Sequence, residues 1–436
     1  MRDCGRDAGL VRAVGPTALA ASLIGQIVGA GIFALPAALA ANLGVYAPLA
    51  IVGCGLAVGT VAICFAEGGS RVPTSGGAYG YIEVAFGPLV GYVAVTWLWV
   101  GNVLASAGVV AALADVVTSL LPPALRTAGR VGTIVGVLGA LAAVNVAGVA
   151  HAARLVKVTT AAKLLPLIVF VIAGVGALHA ANFSQAMPPE GGSVGRAAIL
   201  ALFAYLGMEV SLSASGEVAQ PNRTIPRAVM VAMLSVIGLY LAIQLIAQGI
   251  LGASLAHSSV PLADAMGHIS PTLRGLMYAA AALSMFGMLT GDLLGSPRQL
   301  FAFGRDGLLP RVLGRVHNRS HAPHVAILCY AAISAALALS GSFAALAILA
   351  ALNSAAVYVL ACAAAWRLAR RGVALAGAPL QFPLLGLAAT VGTSSMLVVI
   401  ALATRQEILG VVALGIASAL LYLMQSRAAL RPARPP

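Results

Sequence analysis

The sequence predicts an all-α integral membrane protein of about 12 transmembrane helices, two of them broken at membrane depth. Three observations carry that fold class. Hydrophobic residues fill 61% of the 436 positions and charged residues only 8%, where soluble domains carry roughly 25% charged residues. Apolar stretches near or above the roughly 20 residues that a helix needs to cross a bilayer recur along the whole chain. Two of them are interrupted, by GQIVGAGIFALP from Gly25 to Pro36 and by AYLGMEVSLSASGEVAQP from Ala204 to Pro221.

In order, the spans are read at about 16–41, 46–66, 84–114, 131–149, 156–178 and 196–215, then at about 227–252, 272–303, 323–341, 343–367, 382–403 and 407–425. They form a single transmembrane domain over 1–436. If spans one to five pair with six to ten, repeat one covers about 16–178 and repeat two about 196–367, with helices 11 and 12 at about 382–425 outside both. The glycine-broken first span then corresponds to the interrupted sixth, the spacing of an inverted repeat, and paired breaks of this kind mark a carrier's binding site. The last two spans have no ionisable residue at mid-depth, which suits a peripheral or oligomer-contact role. The longest loops, near 179–195 and 304–322, are too short to bury a core of their own.

The net charge of +13 is explained by where the charge sits. With the N-terminus taken as cytoplasmic, its segment and every second loop hold most of the basic residues, among them Arg2, Arg71, Arg223, Arg315, Arg371 and Arg431. The opposite side has Arg126, Arg130, Arg196, Arg274 and Arg405. This is the positive-inside asymmetry and puts both termini in the cytoplasm; the basic excess is topology, not a nucleic-acid footprint. The charged start and long first apolar run differ from a cleaved secretory signal. Few lysines beside many arginines and alanines fit a GC-rich bacterial genome, and hence the bacterial inner membrane. Cys4, Cys54, Cys64, Cys329 and Cys362 form no metal-spaced cluster and read as small packing residues. The histidines of HNRSHAPH (His317, His321, His324) read as a solvated loop rather than a metal site, and no cofactor is expected.

Glycines at 25, 29 and 31 let a helix open and a ligand approach the backbone. Such a break leaves orphan amides of a half-helix, with the positive end of its dipole, aimed at one spot that suits a carboxylate. The competing reading is close helix packing through Gly25 and Gly29; Gly29-Ala30-Gly31 just before Pro36 favours the break. Ionisable groups inside a bilayer mark function by default. Three are read well within spans: Lys163, Glu209 and Asp292. Glu209, two residues past Gly207, is placed to hold a proton or an ammonium group. Lys163 either neutralises one of the acids or titrates itself when desolvated. Each of the three is alternatively a buried ion pair that fixes packing. Gln26 and Asn102 are neutral polar candidates, whereas Asn353 and Ser354 are read as bonding a neighbouring helix. Phe203 and Tyr205 are either an aromatic lid or ordinary core.

Four stretches together resemble the amino acid-polyamine-organocation (APC) family of amino acid permeases: GQIVGAGIFALP, EGGSRVPTSGGAYGYIEVAFGP (Glu67 to Pro88), GEVAQPNRTIPRAV after span six, and GSPRQLFAFGRDGLLPRVLGRVHNRSHAP (Gly295 to Pro323). The resemblance covers most of the first ten spans. It implies the broken-helix 5+5 inverted-repeat fold of the sodium-coupled neurotransmitter transporters, with alternating access around a midplane site. It further implies that Gln26, Ile27, Gly29, Ala30 and Gly31 surround the substrate's carboxylate and amino groups, that Phe203 is an aromatic gate, and that Leu206, Glu209 and Asn102 line the pocket. Lys163 matches a span-five lysine that replaces a sodium ion in many relatives, so the chain is similar to the sodium-independent branch, proton-coupled or exchanging. Two departures stand out. Ala30 replaces a frequent serine, and Asp292 stands where relatives more usually have a neutral or aromatic residue. That acid is open to three roles: recognising a cationic side chain, carrying the coupled proton, or pairing with Lys163.

The expectation is therefore a secondary amino acid transporter, with an apolar pocket of Ile27, Phe203, Leu206 and Met208 favouring a neutral side chain. Proton coupling is assigned to Lys163, Glu209 and Asp292. A cationic amino acid or polyamine carrier is the alternative, motivated by two membrane acids against one lysine. An intramembrane enzyme is disfavoured: HExxH is absent and only one aspartate is deep. A channel is disfavoured because no filter-forming repeat appears.

Overall fold

The computed structural model describes residues 15–29, 31–72, 78–184, 191–212, 218, 220–305, 309–317, 320, 322–375, 379 and 381–429. Its elements are α-helices joined by short 3-10 turns. The first predicted span becomes two helices, α1 (Pro16–Ile27) and α2 (Gly31–Leu43), and the second is α3 (Ala47–Arg71). The third is α4 (Ala78–Phe86) followed by α5 (Pro88–Ser119); the fourth and fifth are α6 (Arg126–Ala147) and α7 (Val149–Gly174). The sixth is divided into α8 (Gly191–Ala204) and α9 (Met208–Leu212), and the seventh is α10 (Pro221–Leu251). After the short α11 (Pro261–Gly267), the eighth is α12 (Pro271–Gly295) with α13 (Pro297–Arg305). The remaining four are α14 (His324–Ser340), α15 (Phe343–Arg370), α16 (Leu385–Ala401) and α17 (Arg405–Ala429).

Local chemistry sets many of these limits. Proline occupies the first turn of α1, α3, α5, α10 and α12, where its missing N–H costs nothing. Gly87 and Gly148 take φ of 95° and 146° between consecutive helices, angles that side chains disfavour. Seven helical stretches among the described residues are long and apolar enough to cross a bilayer. Twelve were expected. The others are shorter apolar helices, including Pro16–Ile27 and Ser193–Ala204, and both of these are halves left by a break.

Close packing relies on small residues. Along the α5–α15 seam a Cβ at Gly101 would lie 3.5 Å from Asn353 Cβ, and one at Gly108 would lie 3.4 Å from Leu346 Cβ. At the α3–α10 seam a Cβ at Gly55 would lie 2.7 Å from Ile237. Such contacts replace the hydrophobic drive that lipid does not supply. α17 is pinned to α5 by Trp97 Nε1, which donates to the Val411 carbonyl at 3.0 Å. Leu387, Leu397, Leu409, Ile416, Leu420 and Met424 of the last two helices stay exposed, as a lipid-facing surface would.

One expectation is corrected here. Ionisable residues buried in helices extend beyond Lys163, Glu209 and Asp292, because α3 continues through Glu67 and Arg71, which are buried. Arg71 Nε and Nη2 donate to Glu67 Oε1 at 2.9 and 2.6 Å, and its Nη1 donates to the Val373 carbonyl at 3.1 Å. The Phe382 amide donates to Glu67 Oε2 at 3.3 Å. The i,i+4 pair compensates its own burial and ties the end of α3 to the connection between α15 and α16.

Candidate functional site

The first break is closed by donors from three other helices. α1 ends at Ile27, Val28 has ψ 84°, and α2 begins at Gly31. The carbonyls released there must find partners, since lipid offers none. Lys163 Nζ of α7, buried, donates to the Gly25 carbonyl. Tyr240 OH of α10 lies 2.8 Å from the Ile27 carbonyl, and Ser284 Oγ of α12 donates to the Gly29 carbonyl at 3.3 Å. Ala30 lies outside the described residues.

The second break faces the first. Between α8 and α9, Gly207 takes φ 113°, and a Cβ there would lie 2.8 Å from the Gln26 carbonyl oxygen. Gly207 is therefore required twice, by its dihedral angle and by the approach of the other break. Gly31 likewise packs on Ala204, where a Cβ would lie 3.2 Å from the Cα. Tyr240 OH also lies 3.1 Å from the Ala204 carbonyl, so one phenol bridges carbonyls of both breaks. Glu209 folds back over its own break: its two carboxylate oxygens accept from the Gly207 amide at 3.3 and 3.2 Å, and Oε2 accepts from Tyr358 OH at 2.8 Å.

Between the breaks lies a cavity lined by both of them and by α5, α12 and α15. Gln26, Ile27, Gly29, Gly31, Asn102, Phe203, Leu206, Glu209 and Asp292, all predicted site residues, share its wall. The space open to water centres is about 40 Å³, room for three or four waters at roughly 10–15 Å³ each. Phe203 meets Phe343 edge to face, with ring centroids 5.6 Å apart. Phe343 in turn lines a second cavity with Phe33, Asp115, Val260 and Met285, so this aromatic pair joins the walls of the two spaces.

Asp292 anchors the far wall. Ser296 Oγ donates to its Oδ1 at 2.6 Å, Tyr330 OH donates to Oδ2, and Asn102 Nδ2 donates to Ser296 Oγ at 3.1 Å. Ser296 lies one helical turn after Asp292, which brings its hydroxyl to the carboxylate. Gln26 packs beside it, its Nε2 lying 3.1 Å from where a Gly291 Cβ would be.

The geometry bears on four readings. Lys163 is not part of the cavity wall, and among the described residues it pairs with neither Asp292 nor Glu209; it serves the Gly25 carbonyl instead. Met208 is buried beside the break but does not line the cavity, and Met288 does. Tyr205 is core, its hydroxyl donating to the Ile51 carbonyl at 2.9 Å, whereas Phe203 faces the cavity. Asn353 bonds the Leu349 carbonyl of its own helix at 2.8 Å, and Ser354 lines the cavity. The residues that sequence reasoning missed are Tyr240, Tyr330 and Tyr358. A tyrosine deep in an apolar span is a usable signal, because its buried hydroxyl needs a partner.

The sequence of the chain is similar to those of known transporters. The model of the family described as amino acid permease matches residues 14–423. An uncharacterised transporter of Mycobacterium tuberculosis (strain H37Rv) is 30% identical over 354 residues, covering 73% of this chain and 70% of the relative. The methylthioribose transporter of Bacillus subtilis is 26% identical over 317 residues, 69% of this chain and 68% of its own. The branched-chain amino acid permease of Lactococcus lactis is 27% identical over 321 residues, 68% and 69% respectively.

Proposed function

The chain belongs to the amino acid permease family, and from that premise we propose that it is a sodium-independent secondary carrier of amino acids working by alternating access. It is a multi-pass membrane transporter, not an enzyme, and the family implies the broken-helix fold shared with the sodium-coupled neurotransmitter transporters. The observation that carries the proposal is the face-to-face arrangement of the two breaks, with Gly207 against the Gln26 carbonyl. In this reading the first-turn amides of α2, which lack acceptors inside the helix, hold the substrate's carboxylate. The Gln26 carbonyl and the Glu209 carboxylate hold its ammonium group. Ile27, Phe203, Leu206 and Met288 enclose a compact aliphatic body.

The contact of Lys163 with the Gly25 carbonyl supports sodium independence, since a fixed ammonium group then occupies ground that a cation would need. Coupling runs either through a proton held at Lys163 or Glu209, or through exchange of one substrate for another. The inner membrane of a bacterium, with both termini cytoplasmic, is the proposed setting.

The test is uptake of a labelled amino acid mixture into sodium-free proteoliposomes, with and without an inward proton gradient and with and without preloaded amino acids. Accumulation driven by the gradient makes the protein a proton symporter, and uptake restricted to preloaded vesicles makes it an exchanger. Uptake that needs sodium, or no amino acid uptake under any condition, refutes the proposal.

A further inference from the structure

The cavity wall carries two carboxylates, Glu209 and Asp292, and no Lys, Arg or His side chain among the described residues. A zwitterionic substrate supplies one ammonium group, which the reading above, on which this inference rests, assigns to Glu209 and the first break. Its carboxylate is assigned to the α2 amides. Asp292 is then left facing the cavity without a countercharge.

Asp292 is held in the cavity wall by neutral donors. Ser296 and Tyr330 each donate to a different carboxylate oxygen. Asn102 donates to Ser296 Oγ, which leaves the serine proton for Asp292. Among the described residues no basic side chain forms an ion pair with it; the nearby buried cation, Lys163, is committed to Gly25. A positively charged group on the substrate would pair with this carboxylate where no side-chain cation of the cavity wall does.

We propose that Asp292 reads the substrate's side chain, and that the preferred substrate is a small amino acid bearing a second, side-chain ammonium group. This replaces the neutral side chain expected from the apolar wall. The cavity must widen to admit any amino acid, and a short diamino acid asks the least of it, with the methylenes against Ile27, Leu206 and Met288 and the terminal ammonium at Asp292.

An isosteric pair tests it. 2,4-Diaminobutyrate and norvaline have the same length and differ in an ammonium against a methyl group. Competition for bound or transported label is measured with each, using purified full-length protein at pH 7. The expected result is at least a tenfold preference for 2,4-diaminobutyrate in the wild type. Asp292→Asn should erase that preference while norvaline still competes, and Tyr330→Phe, which removes only a hydroxyl, should reduce it severalfold. Equal competition, or better competition by norvaline, in the wild type overturns the inference and leaves the amino acid carrier standing. So does an Asp292→Asn protein that loses its proton-gradient dependence but keeps the wild-type preference, since Asp292 would then be a coupling group. Failure of both compounds, and of every amino acid in the uptake assay, overturns the carrier reading as well.

Discussion

The two breaks solve opposite problems with opposite means. At the first, the end of α1 releases carbonyls, and donors come from elsewhere: Lys163 of α7, Tyr240 of α10 and Ser284 of α12. At the second, the start of α9 releases amides, and the acceptor is local, Glu209 two residues along. The first break is therefore tied to three surrounding helices, whereas the second carries its own acceptor and takes side-chain hydrogen bonds from two, through Tyr240 of α10 and Tyr358 of α15. On the proposed reading, a substrate between them meets one wall held by donors from three helices and one held in part by its own Glu209. On that reading the first break holds the substrate and the second responds to it.

Substitutions can break that comparison, and the largest effect is expected at Lys163. Lys163→Met keeps much of the bulk and removes the donor to Gly25. Transport should fall at least a hundredfold, with retained folding checked by a monodisperse elution profile. Activity within a few-fold of the wild type would remove Lys163 from the mechanism. Next is Glu209→Gln, which keeps one acceptor oxygen for the Gly207 N–H but loses the negative charge and the second acceptor; a hydrogen bond to a charged group is worth roughly 1.5–3 kcal/mol, so apparent affinity should weaken about tenfold or more. A smaller change in substrate affinity is expected for Tyr240→Phe, which strips a shared donor from Ile27 and Ala204. Its signature is a lower Tm with stability reduced by roughly 1–3 kcal/mol, and a normal Tm would mean that another group takes over these carbonyls. The smallest effect belongs to Phe343→Leu at the edge-to-face pair with Phe203. An aromatic pair is worth about 0.5–1.5 kcal/mol beyond its burial, so exchange should change by no more than about tenfold, through faster opening toward the second cavity.

How much of this was legible depended on how rare each signal is in an apolar chain. Gly29-Ala30-Gly31 ahead of Pro36, and Gly207 before a lone acid, are conspicuous against long aliphatic runs, and both breaks were located from them. Lys163, Glu209 and Asp292 stood out because charge inside a bilayer needs a reason. Their partners did not, since a carboxylate two helices away leaves no mark near Tyr330 or Tyr358. Pairing Lys163 with an acid was a reasonable charge argument that the fold resolves differently, because the freed Gly25 carbonyl lies within reach of its ammonium group. Hydropathy does not say which way Met208 points: it is buried beside the second break and outside the cavity wall, which Met288 of α12 lines instead. The Glu67–Arg71 pair escaped because its helix runs past the end of the hydrophobic stretch, sustained by the pair itself.

The central claim is that the two breaks together form the substrate site, and Gly207 is where it is most exposed to test. A methyl group there would need an unfavourable φ of 113° and would lie 2.8 Å from the Gln26 carbonyl oxygen, whereas at Gly139 of α6 it would meet open space. Equilibrium binding of a labelled amino acid mixture to purified wild type, Gly207→Ala and Gly139→Ala is the direct measurement. The account predicts saturable binding that Gly207→Ala loses by at least tenfold and Gly139→Ala retains, with all three proteins monodisperse. Equal binding by Gly207→Ala and the wild type would contradict it and put the substrate somewhere other than between the breaks.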